Sequence, residues 1–277
     1  MKIIHDKTEA RLKEIANRAR GALGFAALDL TSGERFALNE DVSYPQASAI
    51  KIAILMEVYK QAHEGKFKLT DLRRIEKKDK TGGSGVIIEL GDGTVQLSLH
   101  DLCVLMILLS DNTATNLLLD LVGMENINRT LESLGLKQTR MRRRMMDTAA
   151  SWRGDENLST PAEAARIMEI LFKGEFVSRQ LCDEILAILK KAKPGGIKSG
   201  VPADVQVAFK PGSISGVTTE WAIVYLKDRP YVVVVMDNFG MEDDAASAMK
   251  EISKTLYDYF SRLARATPNG SYVEKPK

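Results

Sequence analysis

The hydrophobic pattern of this chain changes its period twice, and that change restricts the possible folds more than any other feature. Near the N-terminus, strand-like runs at residues 23–30 and 35–38 flank a Thr-Ser-Gly-Glu turn, which predicts a β-hairpin. Strand-like runs return only after residue 200, and the sequence between has helical periodicity. The simplest assembly pairs the N-terminal hairpin with the C-terminal strands in one sheet.

The individual elements follow from the same periodicities. Residues 6–20 predict an amphipathic helix, because one helical face carries Leu12, Ile15, Ala16 and Ala19. Further strands are predicted at residues 205–209, 221–226 and 231–236, with turns at Pro211-Gly212 and residues 227–230. Further helices are predicted at residues 48–64, 98–109, 112–122, 124–134, 161–173, 178–191 and 243–264.

The predicted fold class is α+β, with an antiparallel sheet flanked by terminal helices and an all-α lobe inserted between its strands. Residues 1–44 and 201–266 are expected to form a discontinuous α/β lobe, and residues 45–200 the all-α lobe. Residues 267–277 are polar, with proline and glycine, and are expected to be a frayed tail. Functional sites often lie where two lobes meet.

Composition and charge exclude several classes of function. The chain has 39 Lys plus Arg and 37 Asp plus Glu residues, so its net charge is +2. A charge this close to zero does not indicate nucleic-acid binding, which requires a surface rich in basic residues. No two of the three histidines share helical spacing with a carboxylate between them, so we expect no metal and no other cofactor. The longest apolar runs are far too short to span a bilayer, and the N-terminus turns charged too early for a signal peptide. We expect a monomer without nucleic-acid partners.

A serine followed three residues later by a lysine, Ser48 and Lys51, stands at the predicted start of a helix. This spacing puts both side chains on one face, one turn apart. A serine hydroxyl needs a base within reach to act as a nucleophile, and a desolvated lysine can supply one. The pattern alone is weak, because a helix-capping serine looks the same and a second copy, Ser247 to Lys250, lies in the C-terminal helix.

Two further motifs follow along the chain. The second motif lies between two predicted apolar helices and consists of Ser110, Asp111 and Asn112. The third lies at the end of a predicted strand and consists of residues 210–213 (Lys-Pro-Gly-Ser). Each by itself is an ordinary capping or turn sequence. In this order and context, the three motifs resemble those of the class A β-lactamases and their penicillin-binding relatives, Ser-x-x-Lys, Ser-Asp-Asn and Lys-Thr-Gly. The resemblance covers residues 6–264 and implies the β-lactamase/transpeptidase-like fold.

The resemblance also implies how the reaction would begin. Ser48 would attack the acyl carbon, and Lys51 would take or relay its proton. The backbone N–H groups of Ser48 and Ser213 would form the oxyanion hole. Gly212 would also be a substrate-binding residue. The substrate would be a small-molecule β-lactam or another acyl donor.

The resemblance gives the remaining motif residues supporting roles. Ser110 would pass a proton to the leaving nitrogen, helped by the field of Lys210. Asn112 would hold the amide of the substrate side chain and would steady the lysine of the first motif. Electrostatic contributions of this kind are typically worth about 3–4 kcal/mol per donor.

The sequence departs from the family pattern in two places. Pro211 replaces a Thr or Ser whose hydroxyl helps to bind a β-lactam carboxylate, and Ser213 is the candidate substitute. The family's omega-loop glutamate, which activates the water that releases the acyl group, falls at or near Met145. Methionine cannot accept a proton, and the nearby Asp147 and Glu156 are expected in loop-surface or capping roles.

Three functions fit these motifs. The first is a class A β-lactamase-like serine hydrolase that forms an acyl-enzyme on Ser48 and hydrolyses β-lactams, either efficiently or weakly. The second is a carboxylesterase or peptidase of the same fold, and the third is a non-hydrolysing β-lactam or peptidoglycan sensor. The resemblance implies a secreted or periplasmic protein. The chain shows no signal peptide, so its compartment and its physiological substrate are left open.

Overall fold

The computed structural model describes residues 2–267 and 269–272. In chain order its strands are β1 (Ala22–Asp29), β2 (Arg35–Leu38), β3 (Tyr44–Pro45), β4 (Leu72–Arg74), β5 (Gln96–Ser98), β6 (Leu158–Ser159), β7 (Val207–Ile214), β8 (Val217–Val224) and β9 (Tyr231–Asn238). Its α-helices are α1 (Lys2–Arg18), α2 (Lys51–His63), α3 (Leu99–Leu108), α4 (Asn112–Val122), α5 (Met124–Ser133), α6 (Thr148–Trp152), α7 (Pro161–Lys173), α8 (Arg179–Leu189), α9 (Gly196–Ser199) and α10 (Glu242–Arg265).

These elements belong to two compact units. Unit 1 comprises Met1–Tyr44, Thr160–Glu169 and Pro194–Lys277. Unit 2 comprises Pro45–Ser159 and Ile170–Lys193. The sheet strands of both chain ends fall in unit 1, and most of the helical middle falls in unit 2.

Unit 1 is built on a five-stranded antiparallel sheet with the strand order β2-β1-β9-β8-β7. The N-terminal hairpin joins the C-terminal strands directly, because β1 and β9 pair from Ala22 opposite Asn238 to Asp29 opposite Tyr231. The central strand β9 is rich in valine and is buried through Asp237, as suits a strand covered on both faces. This sheet confirms the predicted α+β class.

Helices α1 and α10 pack on one face of the sheet. The buried layer includes Leu12, Ile15 and Ala16 of α1, Val233 and Val235 of β9, and Ile252 and Phe260 of α10. Ala19 is partly buried against the same core, so the predicted apolar face of the first helix is confirmed. Alternate residues of β9 reach this layer because side chains on a strand point to its two faces in turn.

The predicted turn at Pro211-Gly212 is wrong. Strand β7 runs through both residues to Ile214, with Pro211 opposite Glu220 on β8, and the chain turns at residues 215–216. Proline is tolerated because β7 is an edge strand, where a missing backbone N–H need not interrupt a hydrogen-bond ladder. The Lys-Pro-Gly-Ser motif therefore lies inside a strand instead of after one.

Unit 2 is built mainly from helices around α2, which contacts α3, α4, α5 and α8. Every residue of α2 from Lys51 to Tyr59 is buried, which is the position expected for a helix that is apolar on all sides. The predicted helix at residues 48–64 begins differently, because Ala47–Ile50 form a 3-10 turn before the α-helix starts. Helices α4 and α7 have the predicted bounds.

Several short pairings were not predicted. In unit 2, β4 and β5 form an antiparallel pair with Leu72 opposite Ser98. Their strands have three residues each and no fully buried side chain, so no apolar alternation marks them in the sequence. In the expected tail, Tyr272 forms a bridge with Ala266, while residues 268 and 273–277 lie outside the described residues.

Neither a metal centre nor a membrane-crossing helix is seen in the part of the chain that the structure describes. No group of three or more His, Cys, Asp or Glu side chains there could hold a metal ion. No helix there combines the length and the apolar character that a bilayer span requires.

Candidate active site

Ser48 lies on the 3-10 turn that precedes α2, and it is half-buried. Side chains three residues apart eclipse each other on such a turn, so Ser48 and Lys51 share one face. The preceding residue, Ala47, has a φ of 43°, in the left-handed region. A non-glycine residue in that region is strained, and such strain is concentrated at functional sites.

The Lys51 side chain is fully buried, at 0% exposure. Its ammonium donates to the Ser110 carbonyl at 2.7 Å, to the Ser110 hydroxyl at 3.1 Å and to Asn112 Oδ1 at 3.0 Å. A buried ammonium needs partners of this kind, because an isolated buried charge is very costly. Folding therefore brings three of the predicted site residues into one hydrogen-bonded group within unit 2.

Ser110 occupies the turn between α3 and α4, with a φ of 54°. The next residue, Asp111, caps α4 by accepting the N–H of Ala114 at 2.9 Å. Its second carboxylate oxygen accepts the N–H groups of Val86 at 2.7 Å and Ile87 at 2.9 Å. These bonds fix the backbone of the turn and thereby the direction of the Ser110 side chain.

A glycine-rich segment, residues 81–85 (Thr-Gly-Gly-Ser-Gly), packs against Asn112 and was not predicted as part of the site. The Asn112 side chain donates to the Gly82 carbonyl at 2.9 Å, and the Asn112 N–H donates to the Ser84 carbonyl at 2.9 Å. Gly83 has a φ of 86°, and a Cβ at this position would lie 2.7 Å from Asn112 Nδ2. Glycine is required for so close an approach, and three glycines within five residues were the available sequence signal.

Residues 139–159 contain Met145, the position at which the sequence analysis expects the family's glutamate, and two asparagines on helices of unit 2 hold this segment in place. Met145 donates its N–H to Asn116 Oδ1 at 2.9 Å and accepts from Asn116 Nδ2 at 3.1 Å. Asn128 holds the backbone of Met141 in the same way, with both bonds at 2.8 Å. Met145 is also buried, with 8% of its surface exposed, so both its backbone and its side chain are held in place.

Three carboxylates lie in the same segment, and each has partners of its own. Asp147 caps α6 by accepting the N–H of Ala150 at 2.9 Å. Glu156 accepts from the Arg143 guanidinium at 3.0 Å. Asp155 forms a surface ion pair with the arginine two residues before it. These contacts match the capping and loop roles expected from the sequence.

In unit 1, the edge strand β7 carries Lys210, Gly212 and Ser213. Lys210 is buried at 1% exposure, and its ammonium donates to the Pro211 carbonyl at 2.6 Å. Ser213 is exposed, and its hydroxyl donates to Glu242 at the start of α10 at 2.8 Å. The hydroxyl expected to replace the one missing at Pro211 is therefore engaged by a carboxylate.

A serine one turn from a buried, hydrogen-bonded lysine is an arrangement typical of serine hydrolases that work through an acyl-enzyme. Comparison with known protein families agrees with this class, since the beta-lactamase enzyme family matches residues 7–260. This chain belongs to that family.

Individual relatives agree along nearly the whole chain. The imipenem-hydrolyzing beta-lactamase of Enterobacter cloacae is 26% identical over 250 residues, which cover 88% of this chain and 85% of the relative. Among solved structures, a beta-lactamase from Sphaerobacter thermophilus has a TM-score of 0.82 at 29% identity, over 92% of this chain and 97% of that one. An ancestral class A beta-lactamase has a TM-score of 0.84 at 28% identity, over 91% of this chain and 100% of that one. The predicted fold and the prediction of a class A β-lactamase-like serine hydrolase are confirmed at the level of the family.

Proposed function

We propose that Ser48 attacks the carbonyl carbon of a β-lactam or a related acyl donor and that the resulting acyl-enzyme is then hydrolysed. The observation that carries the proposal is Lys51, one turn from Ser48 and hydrogen-bonded to three oxygen atoms. After loss of one proton, the lysine amine keeps two N–H groups for Ser110 and Asn112, and its lone pair accepts the Ser48 proton.

The other residues of this group fit the later steps. The Ser110 hydroxyl, 3.1 Å from the Lys51 nitrogen, can receive the proton from Lys51 and pass it to the leaving nitrogen, which balances the transfer. Asn112 orients Lys51 through its oxygen and is itself oriented by Gly82. The roles that the resemblance gives to Lys210, Gly212 and Ser213 in substrate binding stay predictions, as does secretion or a periplasmic location.

Acylation without efficient turnover is a second candidate function, and the 139–159 segment favours it. Its three carboxylates are engaged in capping or ion pairs, and Met145 offers no base. Without a general base aimed at water, release of the acyl group slows by about 10²–10⁴. Such a protein would act as a β-lactam or peptidoglycan sensor.

A carboxylesterase or peptidase is favoured by a different observation. Pro211 lacks a side-chain hydroxyl, and the hydroxyl of Ser213 is donated to Glu242. Both changes remove donors for a substrate carboxylate, and simple esters and peptides do not need them at that place.

Incubation with nitrocefin, a fluorescent penicillin and p-nitrophenyl acetate, followed by intact-protein mass spectrometry, separates these functions. Steady nitrocefin turnover supports the β-lactamase. A persistent adduct without turnover supports the sensor, and ester turnover alone supports the esterase.

Two serine variants give the matched control. Ser48→Ala should abolish adducts and turnover with every compound. Ser247→Ala changes the serine of the second Ser-x-x-Lys pattern, on the exposed surface of α10, and should change nothing. An adduct that persists in Ser48→Ala, or no reaction of the wild type with all three compounds, would overturn the proposal.

A further inference from the structure

Two grooves on the surface of unit 1 meet at the end of α10, and none of their lining residues belongs to the three motifs. The first groove, of about 640 Å³, lies between the start of α1 and the end of α10 and includes Ile3, Ile4 and Leu263. The second, of about 930 Å³, lies between the turn from β8 to β9 and the last turns of α10. Arg262 and Tyr272 line both grooves, so the two adjoin each other. Cavities of this size are typical of small-molecule sites.

The first groove exposes apolar side chains of α1. Ile3 and Ile4, which line it, have 73% and 36% of their surface exposed, whereas Leu12 and Ile15 on the same helix are buried. Leu263 of α10, a member of the core layer, lines the groove beside them. Single exposed apolar residues are common on protein surfaces, but several that line one groove indicate a binding surface.

The charged residues that line the first groove are both cations. They are Lys2 and Arg262, and among the described residues no acidic side chain lines this groove. Arg265 lies next to it, with its guanidinium 5.6 Å from the centre of the Tyr272 ring in a cation–π contact. Within residues 2–267 and 269–272, none of these three cations forms an ion pair. Their charge is therefore available to an anion.

The second groove differs from the first in its charge. Lys227 and Arg265 line it together with Asp228 and Asp258, so acidic groups partly offset its cations. An anion is therefore attracted more strongly to the first groove, where no carboxylate opposes it. Arginines in the last turn of a helix also complement the helix dipole, so the charge alone would not mark a site. The site is marked by cations that lie beside exposed apolar side chains.

We propose that the groove between α1 and α10 binds a small amphipathic carboxylate, with its apolar chain against Ile3 and Ile4 and its carboxylate at Arg262 and Lys2. A planar guanidinium binds a carboxylate through two parallel hydrogen bonds, and burial of the apolar chain removes it from water. This binding site goes beyond the proposed function, because it contains no member of the group around Ser48 and needs no acyl transfer.

Octanoate and octanamide form a matched pair for the test, because they have the same chain and differ in the charge of the head group. Their dissociation constants are measured by isothermal titration calorimetry. We expect the wild type to bind octanoate with a Kd at or below about 1 mM, about three- to tenfold more tightly than octanamide. Arg262→Gln should remove most of this difference. Ile3→Ser should weaken both compounds about three- to tenfold, and the exposure of Ile3 makes loss of the fold unexpected.

Two further variants are matched controls. Lys254→Gln removes an exposed cation of α10, and Phe239→Ser removes an apolar side chain that is 87% exposed, and neither residue lines the two grooves. Both should leave the two dissociation constants within about twofold of the wild-type values, since the direct contacts are kept. An equal loss of affinity in these controls overturns the inference.

Three other outcomes also overturn it. The first is no saturable binding of octanoate up to about 5 mM, and the second is equal affinity for octanamide. The third is that something else covers the groove. A dimer that Ile3→Ser converts to a monomer would assign the groove to a second copy of the chain, and octanoate binding only after deletion of residues 273–277 would assign it to that segment.

Discussion

The side-chain oxygen of Asn112 lies 3.0 Å from the ammonium nitrogen of Lys51. The same side chain donates to the Gly82 carbonyl, so it connects the lysine to the glycine-rich segment. Because Asn112 is the first residue of α4, the position of the lysine is set by the start of a helix about sixty residues away in sequence. The reactive group of unit 2 therefore depends on how α2 and α4 pack.

Replacement of Asn112 by alanine should slow acylation of Ser48 about 10- to 100-fold, because Lys51 loses the acceptor that Asn112 Oδ1 provides. Asn112→Asp keeps an acceptor but adds a charge that holds the ammonium protonated, so its acylation should need a higher pH. The measurement is the acylation rate as a function of pH. Identical pH profiles in the wild type and Asn112→Asp would argue against Lys51 as the base.

Replacement of Met145 by glutamate should shorten the lifetime of the acyl-enzyme, by up to about 10²–10⁴, by supplying a general base. The decay of the penicillin adduct, followed by mass spectrometry, measures this. Met146→Glu is the matched control, since Met146 is adjacent but 51% exposed. Faster hydrolysis of the acyl-enzyme in Met146→Glu, and not in Met145→Glu, would place the position of the general base at residue 146. An unchanged lifetime in both variants would rule out a general base at either position.

Asn116→Ala should lower the free energy of unfolding by about 2–4 kcal/mol, because it leaves the N–H and the carbonyl of Met145 without their partner. Asn128→Ala removes the same two kinds of bond from Met141 and should cost a similar amount. Urea unfolding measures both. Only Asn116→Ala should also change the acyl-enzyme lifetime, and a similar change in Asn128→Ala would show that loosening of the segment is a general effect.

Asp237, at the end of β9, gives a prediction about pH. Its side chain is 2% exposed, is packed against the backbones of Gly21 and Gly240, and has one oxygen without a hydrogen-bond partner among the described residues. Burial, with a smaller contribution from the Asp244 charge, raises the pKa of the Asp237 carboxyl to about 6. A raised carboxyl pKa means that the ionised form is disfavoured in the folded protein.

The penalty from Asp237 is therefore fully present above pH 6 and disappears as the pH falls towards the ordinary value near 4. Asp237→Asn should raise the free energy of unfolding at pH 8 by about 1–3 kcal/mol and leave it nearly unchanged at pH 4. Urea unfolding at both pH values is the measurement, with the exposed Asp243→Asn as control. Equal effects of Asp237→Asn at the two pH values would contradict the linkage.

Much of the fold could be predicted because its signals are local. The bounds of α4 follow from Asp111 as a capping residue and from an apolar face with helical period. The proximity of Ser48 and Lys51 likewise follows from a spacing of one turn, whether that turn is α or 3-10. The strand predicted at residues 231–236 falls within β9, and its run of apolar residues is the local signal for it.

The features that the sequence analysis predicted wrongly or missed depend on residues that are far apart in the chain. Proline and glycine usually break a strand, so the sequence predicts a turn at Pro211. Only the strand order makes β7 an edge strand, on which proline is tolerated. The bonds from Asn116 to Met145 join residues far apart in sequence, and no local pattern encodes them.

By itself, the sequence determined the class of fold, the order of the three motifs and the pairing of a serine with a lysine. Periodicity and spacing act within one turn or one strand, so they can be read along the chain. Only the tertiary structure decided the contacts that no motif predicts: Asn112 with the Gly82 carbonyl, and Ser213 with Glu242. Such contacts depend on strand order and side-chain packing, which bring distant residues within hydrogen-bond distance only when the whole unit has folded.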